Sequence, residues 1–86
     1  MGIKITNSSD LAIQVCINKW SNEGDTMWFI VRSGASESWI RDTDKPMIML
    51  VEKDQQVLAY CVYSDSQVII TNTKITDRGL AEHPLS

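Results

Sequence analysis

Hydrophobic and polar residues alternate along most of this 86-residue chain, in short runs that are separated by polar turns. Successive side chains of a β-strand point to opposite faces of a sheet, so alternation with a period of two predicts strands with one buried face. Short, closely spaced runs of this kind are typical of sandwiches and barrels. We predict seven strands, at residues 3–7, 11–19, 26–32, 37–41, 47–52, 56–63 and 67–75.

The connections between these runs are short and rich in turn-forming residues, such as Asn7-Ser8-Ser9-Asp10. Parallel neighbours need a crossover of a dozen or more residues, usually a helix, and these connections leave no room for one. The pattern therefore predicts an all-β fold, a small antiparallel β-sandwich of about seven short strands. We expect residues 1–76 to form a single β-sandwich domain and residues 77–86 to form a loosely held C-terminal tail.

The stretch from residue 26 to residue 41 concentrates the aromatic side chains, with two of the three tryptophans and the only phenylalanine. We predict a β-hairpin here, because Gly34 supplies the positive φ that a tight turn needs at little steric cost. Odd-numbered and even-numbered side chains of the first strand of this hairpin point to opposite faces of the sheet. The side chains expected in the core are Met27, Phe29 and Val31, and those expected to face outward or a partner are Trp28, Ile30 and Arg32.

The second strand of this hairpin places Trp39 on the same face as Glu37 and Arg41. Charged side chains are seldom buried, so we expect that Trp39 is not fully interior. A tryptophan that packs in the fold and exposes one edge to solvent is also common. Such a purely structural role is the alternative for each tryptophan of this chain.

Residues 47–51 are apolar at both parities. This pattern predicts a central strand that is covered on both sides, or a strand near a subunit interface. A domain of this size has a modest core, and surplus apolar surface in such a domain often contacts another subunit. We therefore expect a homodimer or a larger homo-oligomer.

The sequence holds few residues that could perform catalysis or bind a metal ion. His83 is the only histidine, and the two cysteines, Cys16 and Cys61, do not form a Cys-x-x-Cys motif. Neither a Ser-His-Asp or Cys-His arrangement nor a Cys/His zinc site is therefore predicted. We expect reduced thiols, with a Cys16–Cys61 disulfide as the alternative if their Cα atoms come within about 7 Å of each other. The expectation is a protein that is not an enzyme and has no catalytic residues, metal ligands or cofactor.

The net charge of −3 and the scattered basic residues disfavour a nucleic-acid partner, which requires a concentrated basic face. No apolar run approaches the roughly 20 residues that cross a bilayer as a helix. The N-terminus lacks the apolar region of a secretory signal. We expect a cytoplasmic protein, or one that is exported without a standard signal peptide.

Tryptophan beside asparagine and aspartate is the usual composition of a sugar-binding site. The indole ring covers the apolar face of the sugar, while polar groups bond its hydroxyls. We therefore predict a non-enzymatic, lectin-like binding module that recognises glycans or glycan-bearing surfaces. Its predicted ligand-binding residues are Trp20, Asn22, Asp25, Trp28 and Trp39.

Three short motifs in the first half of the chain resemble a pattern in actinoporin-like cytolysins and fungal fruit-body lectins. They are Ile5-Thr6-Asn7-Ser8, Trp28-Phe29 and Ser33-Gly34-Ala35-Ser36. The resemblance implies a β-sandwich binding module that acts on glycans or membrane surfaces. This chain has no counterpart of the helix that actinoporins insert into membranes. The alternatives to a lectin are a membrane-active, cytolysin-like protein and a self-assembling structural or interaction protein.

Overall fold

The computed structural model describes residues 2–18 and 27–85, and this part of the chain contains nine β-strands and no helix. The all-β prediction is therefore confirmed, with nine strands in place of seven. The strands are β1 (Gly2–Asn7), β2 (Ile13–Ile17), β3 (Phe29–Val31), β4 (Ser36–Ile40), β5 (Met47–Lys53), β6 (Gln56–Val62), β7 (Gln67–Ile70), β8 (Ile75–Asp77) and β9 (Leu80–Glu82).

The strands form two sheets that pack face to face. The five-stranded sheet has the order β4-β1-β7-β8-β9, and the four-stranded sheet has the order β3-β2-β5-β6. Neighbouring strands are antiparallel except for β1 and β7, which are parallel. The expectation of a wholly antiparallel sandwich is wrong for this pair. A helical crossover is not needed between β1 and β7, because the chain makes the four-stranded sheet between them.

The core consists of the inward-facing side chains of both sheets, which alternate along the strands as the sequence pattern predicts. The central strand β5 buries one parity of its apolar run and leaves Ile48 exposed on the other. The buried apolar side chains are Ile3, Ile5, Ile13, Val15, Ile17, Val31, Trp39, Met47, Met49, Val51, Tyr60, Val62, Val68, Ile70 and Ile75.

The stretch from residue 27 to residue 41 is not a hairpin, because β3 and β4 lie in different sheets. β3 pairs with β2, whereas β4 pairs with β1. Gly34 adopts a φ of 81°, and the Ala35 amide donates to the Arg32 carbonyl at 2.9 Å. The predicted turn is therefore present, but it carries the chain from one sheet to the other.

Asn7 holds this crossing in place. Its carbonyl accepts a hydrogen bond from the Gly34 amide at 2.7 Å, and its amide donates to the Ala35 carbonyl at 2.9 Å. Its buried side-chain Nδ2 donates to the carbonyls of Leu11 and Val31, at 2.8 Å each. The side-chain Oδ1 accepts from Ser9. A polar side chain thus joins the first turn to the point where the chain changes sheets.

The expected burial of Met27 and Phe29 is wrong. Met27 is 68% exposed and Phe29 is also exposed, whereas Val31 is fully buried as predicted. β3 is a three-residue strand at the edge of its sheet, so side chains at its start reach solvent. Trp28, Ile30 and Arg32 are exposed, as expected.

The expected exposure of Trp39 is also wrong, since only 4% of its surface is accessible. Its ring packs edge-on against Phe29, with ring centroids 5.9 Å apart. Arg41 on the same face is buried too, because its guanidinium donates to the backbone carbonyls of Ile17, Asn18 and Ile40 at 2.8–3.0 Å. Glu37 stays exposed at the other end of the edge strand β4.

The C-terminal part of the chain contains more regular structure than the sequence pattern indicates. The predicted strand at 67–75 is divided into β7 and β8 by a turn in which the Thr71 amide donates to the Lys74 carbonyl at 2.9 Å. The segment expected as a loose tail contains the last residue of β8 and all of β9. Leu85 then donates its amide hydrogen to the Ala59 carbonyl of β6 at 2.8 Å.

Cys16 and Cys61 are not joined by a disulfide. They lie on β2 and β6, and β5 runs between these strands. Two strand spacings of about 4.8 Å separate them by roughly 10 Å, which exceeds the Cα distance that a disulfide spans.

Candidate functional site

The structure does not bring the described members of the predicted sugar site together. Trp28 is 44% exposed and immediately precedes the edge strand β3. Trp39 points into the core, so its ring face is not available to a ligand. Trp20, Asn22 and Asp25 lie outside the described residues.

A cleft of about 520 Å³ opens between the two sheets at one end of the sandwich. Three segments of the chain form it: the β5–β6 hairpin, the β7–β8 turn and the residues of β9 with those that follow. Most of the apolar side chains that line it are buried or half-buried, and we name these the floor; most of the polar ones are exposed, and we name the polar set the rim. The floor residues are Val51, Leu58, Tyr60, Ile70 and Ile75, and the rim residues are Lys53, Asp54, Gln56, Thr71, Asn72, Thr73, Lys74, Glu82 and His83. Ala81 and Pro84 also line the cleft and are exposed.

The β5–β6 hairpin supplies one wall of the cleft. Asp54 and Gln55 adopt φ values of 53° and 66°, the left-handed conformation of a two-residue type I′ turn. This tight turn places Lys53 and Gln56 opposite each other. Lys53 Nζ donates to the Thr71 carbonyl at 3.0 Å, so it joins this wall to the β7–β8 turn.

Side-chain hydrogen bonds also fix the β7–β8 turn. Thr71 Oγ1 donates to the Lys74 carbonyl at 3.1 Å, which closes the turn locally. The Asn72 side chain accepts from the Asp10 amide at 2.8 Å and donates to the Asp10 carboxylate at 2.9 Å. The turn is thereby tied to the loop that follows β1, and this wall of the cleft is preorganised.

Glu82 provides a half-buried carboxyl at the rim. Burial raises the pKa of Glu82 above its ordinary value, and the nearby Asp77 carboxylate raises it further, while Arg78 and His83 act in the opposite direction. The pKa of Tyr60 is also raised, first by burial and then by the negative charge of Glu82. The charge of Glu82 thus reaches the apolar floor of the cleft.

The arrangement suits a small ligand more than a macromolecule. The volume lies within the roughly 300–1,000 Å³ of small-molecule sites, which combine apolar walls with a few placed polar groups. Cationic and anionic side chains both occur at the rim, so the cleft does not present a single sign of charge. These features match a neutral molecule that has both apolar patches and hydrogen-bonding groups.

Sequence reasoning missed this cleft because its residues fall in segments interpreted otherwise. The alternation pattern predicts one long strand that includes Thr71, Asn72 and Thr73, and a tail that includes Glu82 and His83. The Thr-Asn-Thr run was the available signal, since clustered short polar side chains favour turns.

No protein-family model, curated protein or solved structure matches the chain. Among residues 2–18 and 27–85, no three or more histidine, cysteine, aspartate or glutamate side chains are grouped so that they could hold a metal ion. The same residues include no helix that is long and apolar enough to span a membrane.

Proposed function

We propose that the protein is a lectin-like, non-enzymatic binding module whose ligand is a saccharide bound in the cleft between the two sheets. The observation that carries this proposal is the combination of an apolar floor with a polar rim in a cavity of about 520 Å³. This site lies within residues 51–84, whereas the ligand-binding residues predicted from the sequence lie within residues 20–39.

A saccharide fits this combination because a sugar ring has C–H patches on its faces and hydroxyl groups around its edge. The apolar floor, with Leu58 and Ile75, can cover the C–H patches. Glu82 can accept hydrogen bonds from hydroxyl groups, and the Lys53 ammonium can donate to them. A strongly charged ligand is disfavoured, since it would meet like charge at one side of the rim.

Binding without turnover is proposed because the cleft lacks the contact that activates a nucleophile. Among the described lining residues, neither Glu82 nor His83 is hydrogen-bonded to a hydroxyl or thiol group.

A printed glycan array, followed by titration calorimetry with the strongest hit, tests the proposal. We expect the Glu82→Gln variant to bind at least about tenfold more weakly, because it keeps the shape of the side chain but loses a charged acceptor. The matched control is Glu37→Gln, which changes an exposed glutamate that does not line the cleft. This control should bind as the unmodified protein does.

Two outcomes would contradict the proposal. An array without hits would exclude saccharide binding as the function. If the Trp28→Ala variant lost binding while Glu82→Gln kept it, the sugar would lie on the exposed tryptophan and not in the cleft.

A further inference from the structure

The outward faces of the two sheets differ sharply in polarity. Outward positions of the five-stranded sheet carry mainly hydroxyl, amide and lysine side chains, such as Lys4, Thr6 and Ser38, with Ile40, Ile69 and Ala81 as apolar exceptions. Outward positions of the four-stranded sheet are mainly apolar. They are Gln14, Cys16, Ile30, Ile48, Leu50, Glu52, Val57, Ala59 and Cys61, a set that we name the apolar face.

We propose that the apolar face is the contact surface of a homodimer, with a second copy of this chain as its occupant. Register places its side chains in rows. The row that crosses all four strands joins Ile30, Gln14, Glu52 and Val57, and the apolar rows beside it lie on β2, β5 and β6. One row joins Cys16, Leu50 and Ala59, and a neighbouring row joins Ile48 to Cys61. The exposed Trp28 immediately precedes β3, the edge strand of this sheet. The surface is therefore contiguous, which distinguishes it from scattered apolar residues.

The near absence of charged side chains on the apolar face favours the apolar face of a second copy as its partner surface. Within the described strands that form it, the apolar face carries one charged side chain, Glu52, which accepts a hydrogen bond from Gln14 at 3.5 Å. A highly charged partner would find no complementary charges there, whereas another apolar face complements it. With a two-fold axis running across the strands, the two Glu52 carboxylates lie at opposite ends of the contact and do not repel each other.

The size of the face indicates a weak dimer. The four strands hold 3, 5, 7 and 7 residues, and at about 3.3 Å per residue and about 4.8 Å per strand they cover roughly 350 Å². Stacking two such faces buries roughly 350 Å² per copy, less than half of the ~800 Å² per partner in a stable complex. We therefore expect reversible association that depends on protein concentration.

Sedimentation velocity over a series from micromolar to millimolar protein tests this proposal. The unmodified chain should shift from monomer to dimer as its concentration rises. Ile48→Glu should weaken association at least about tenfold, because it buries an unpaired charge at the contact. The matched control is Ile69→Glu: Ile69 is 44% exposed on the outward face of the five-stranded sheet, and Ile48 is 41% exposed on the apolar face.

The control should associate as the unmodified chain does. A chain that stays monomeric at every concentration would overturn the proposal, and so would equal loss of association in both variants. If circular dichroism showed that Ile48→Glu does not fold, Val57→Lys at the edge strand of the same face would replace it and should again weaken association. Saccharide binding can persist or fail independently of these outcomes, since none of the three substituted residues lines the cleft.

Discussion

At the scale of single residues, two polar side chains carry much of the specificity of this fold. Asn7 and Arg41 both point inward and are fully buried, and both use backbone carbonyls as hydrogen-bond partners. In an alternation pattern, a charged residue indicates the outer face of a strand. Because Trp39 shares its face with Arg41, the pattern wrongly predicted that Trp39 is partly exposed. The sequence could not indicate the burial of Arg41, because two of its carbonyl partners, those of Ile17 and Asn18, are 24 and 23 positions away in the chain.

We expect Asn7→Ala to destabilise the protein by about 3 kcal/mol, because it leaves buried carbonyls and a buried amide without their partners. Urea unfolding monitored by tryptophan fluorescence measures this change. Ser8→Ala provides the control: Ser8 is the exposed neighbour of Asn7, and its substitution should cost less than about 0.5 kcal/mol. Similar losses in both variants would show that the Asn7 hydrogen bonds do not hold the crossing.

At the scale of elements, the sequence located strands well and their partners poorly. Strands β1, β4, β5 and β6 begin and end within about one residue of their predicted limits, because each has a clear alternation or a bounding turn. Pairing was not predictable in the same way. The Gly34 turn is compatible with a hairpin and with a crossing between sheets, and the choice depends on the distant Asn7. The turn within 67–75 was hidden by apolar residues on both sides of it.

At the β5–β6 turn, we expect glycine to stabilise the protein at one position and to destabilise it at the next. Gln55 occupies a left-handed conformation that glycine adopts without steric cost, so Gln55→Gly should stabilise the protein by about 0.5–1 kcal/mol. Gln56→Gly, at the first residue of β6, should destabilise it by about the same amount, since glycine loses more backbone conformational entropy in a strand than other residues do. Thermal unfolding measures both changes. Destabilisation by Gln55→Gly would contradict the type I′ geometry of the turn.

At the scale of the whole molecule, the two sheets together form the core and the cleft, and the four-stranded sheet carries the apolar face. The sequence predicted the sandwich and the outward position of Trp28 and Ile30, because these follow from local alternation. It did not predict the cleft, which forms where three segments distant in sequence meet. A site of that kind depends on tertiary pairing, and no short motif in the chain marks it.

The most direct test of the central claim is a chemical-shift titration of ¹⁵N-labelled protein with the strongest saccharide hit from the glycan array. If the saccharide occupies the cleft, the backbone amides that shift most will be those of the three segments that line it, at residues 53–58, 71–75 and 81–83. Shifts that are centred on Trp28 and the apolar face, or that are absent at saturating saccharide, would contradict the account.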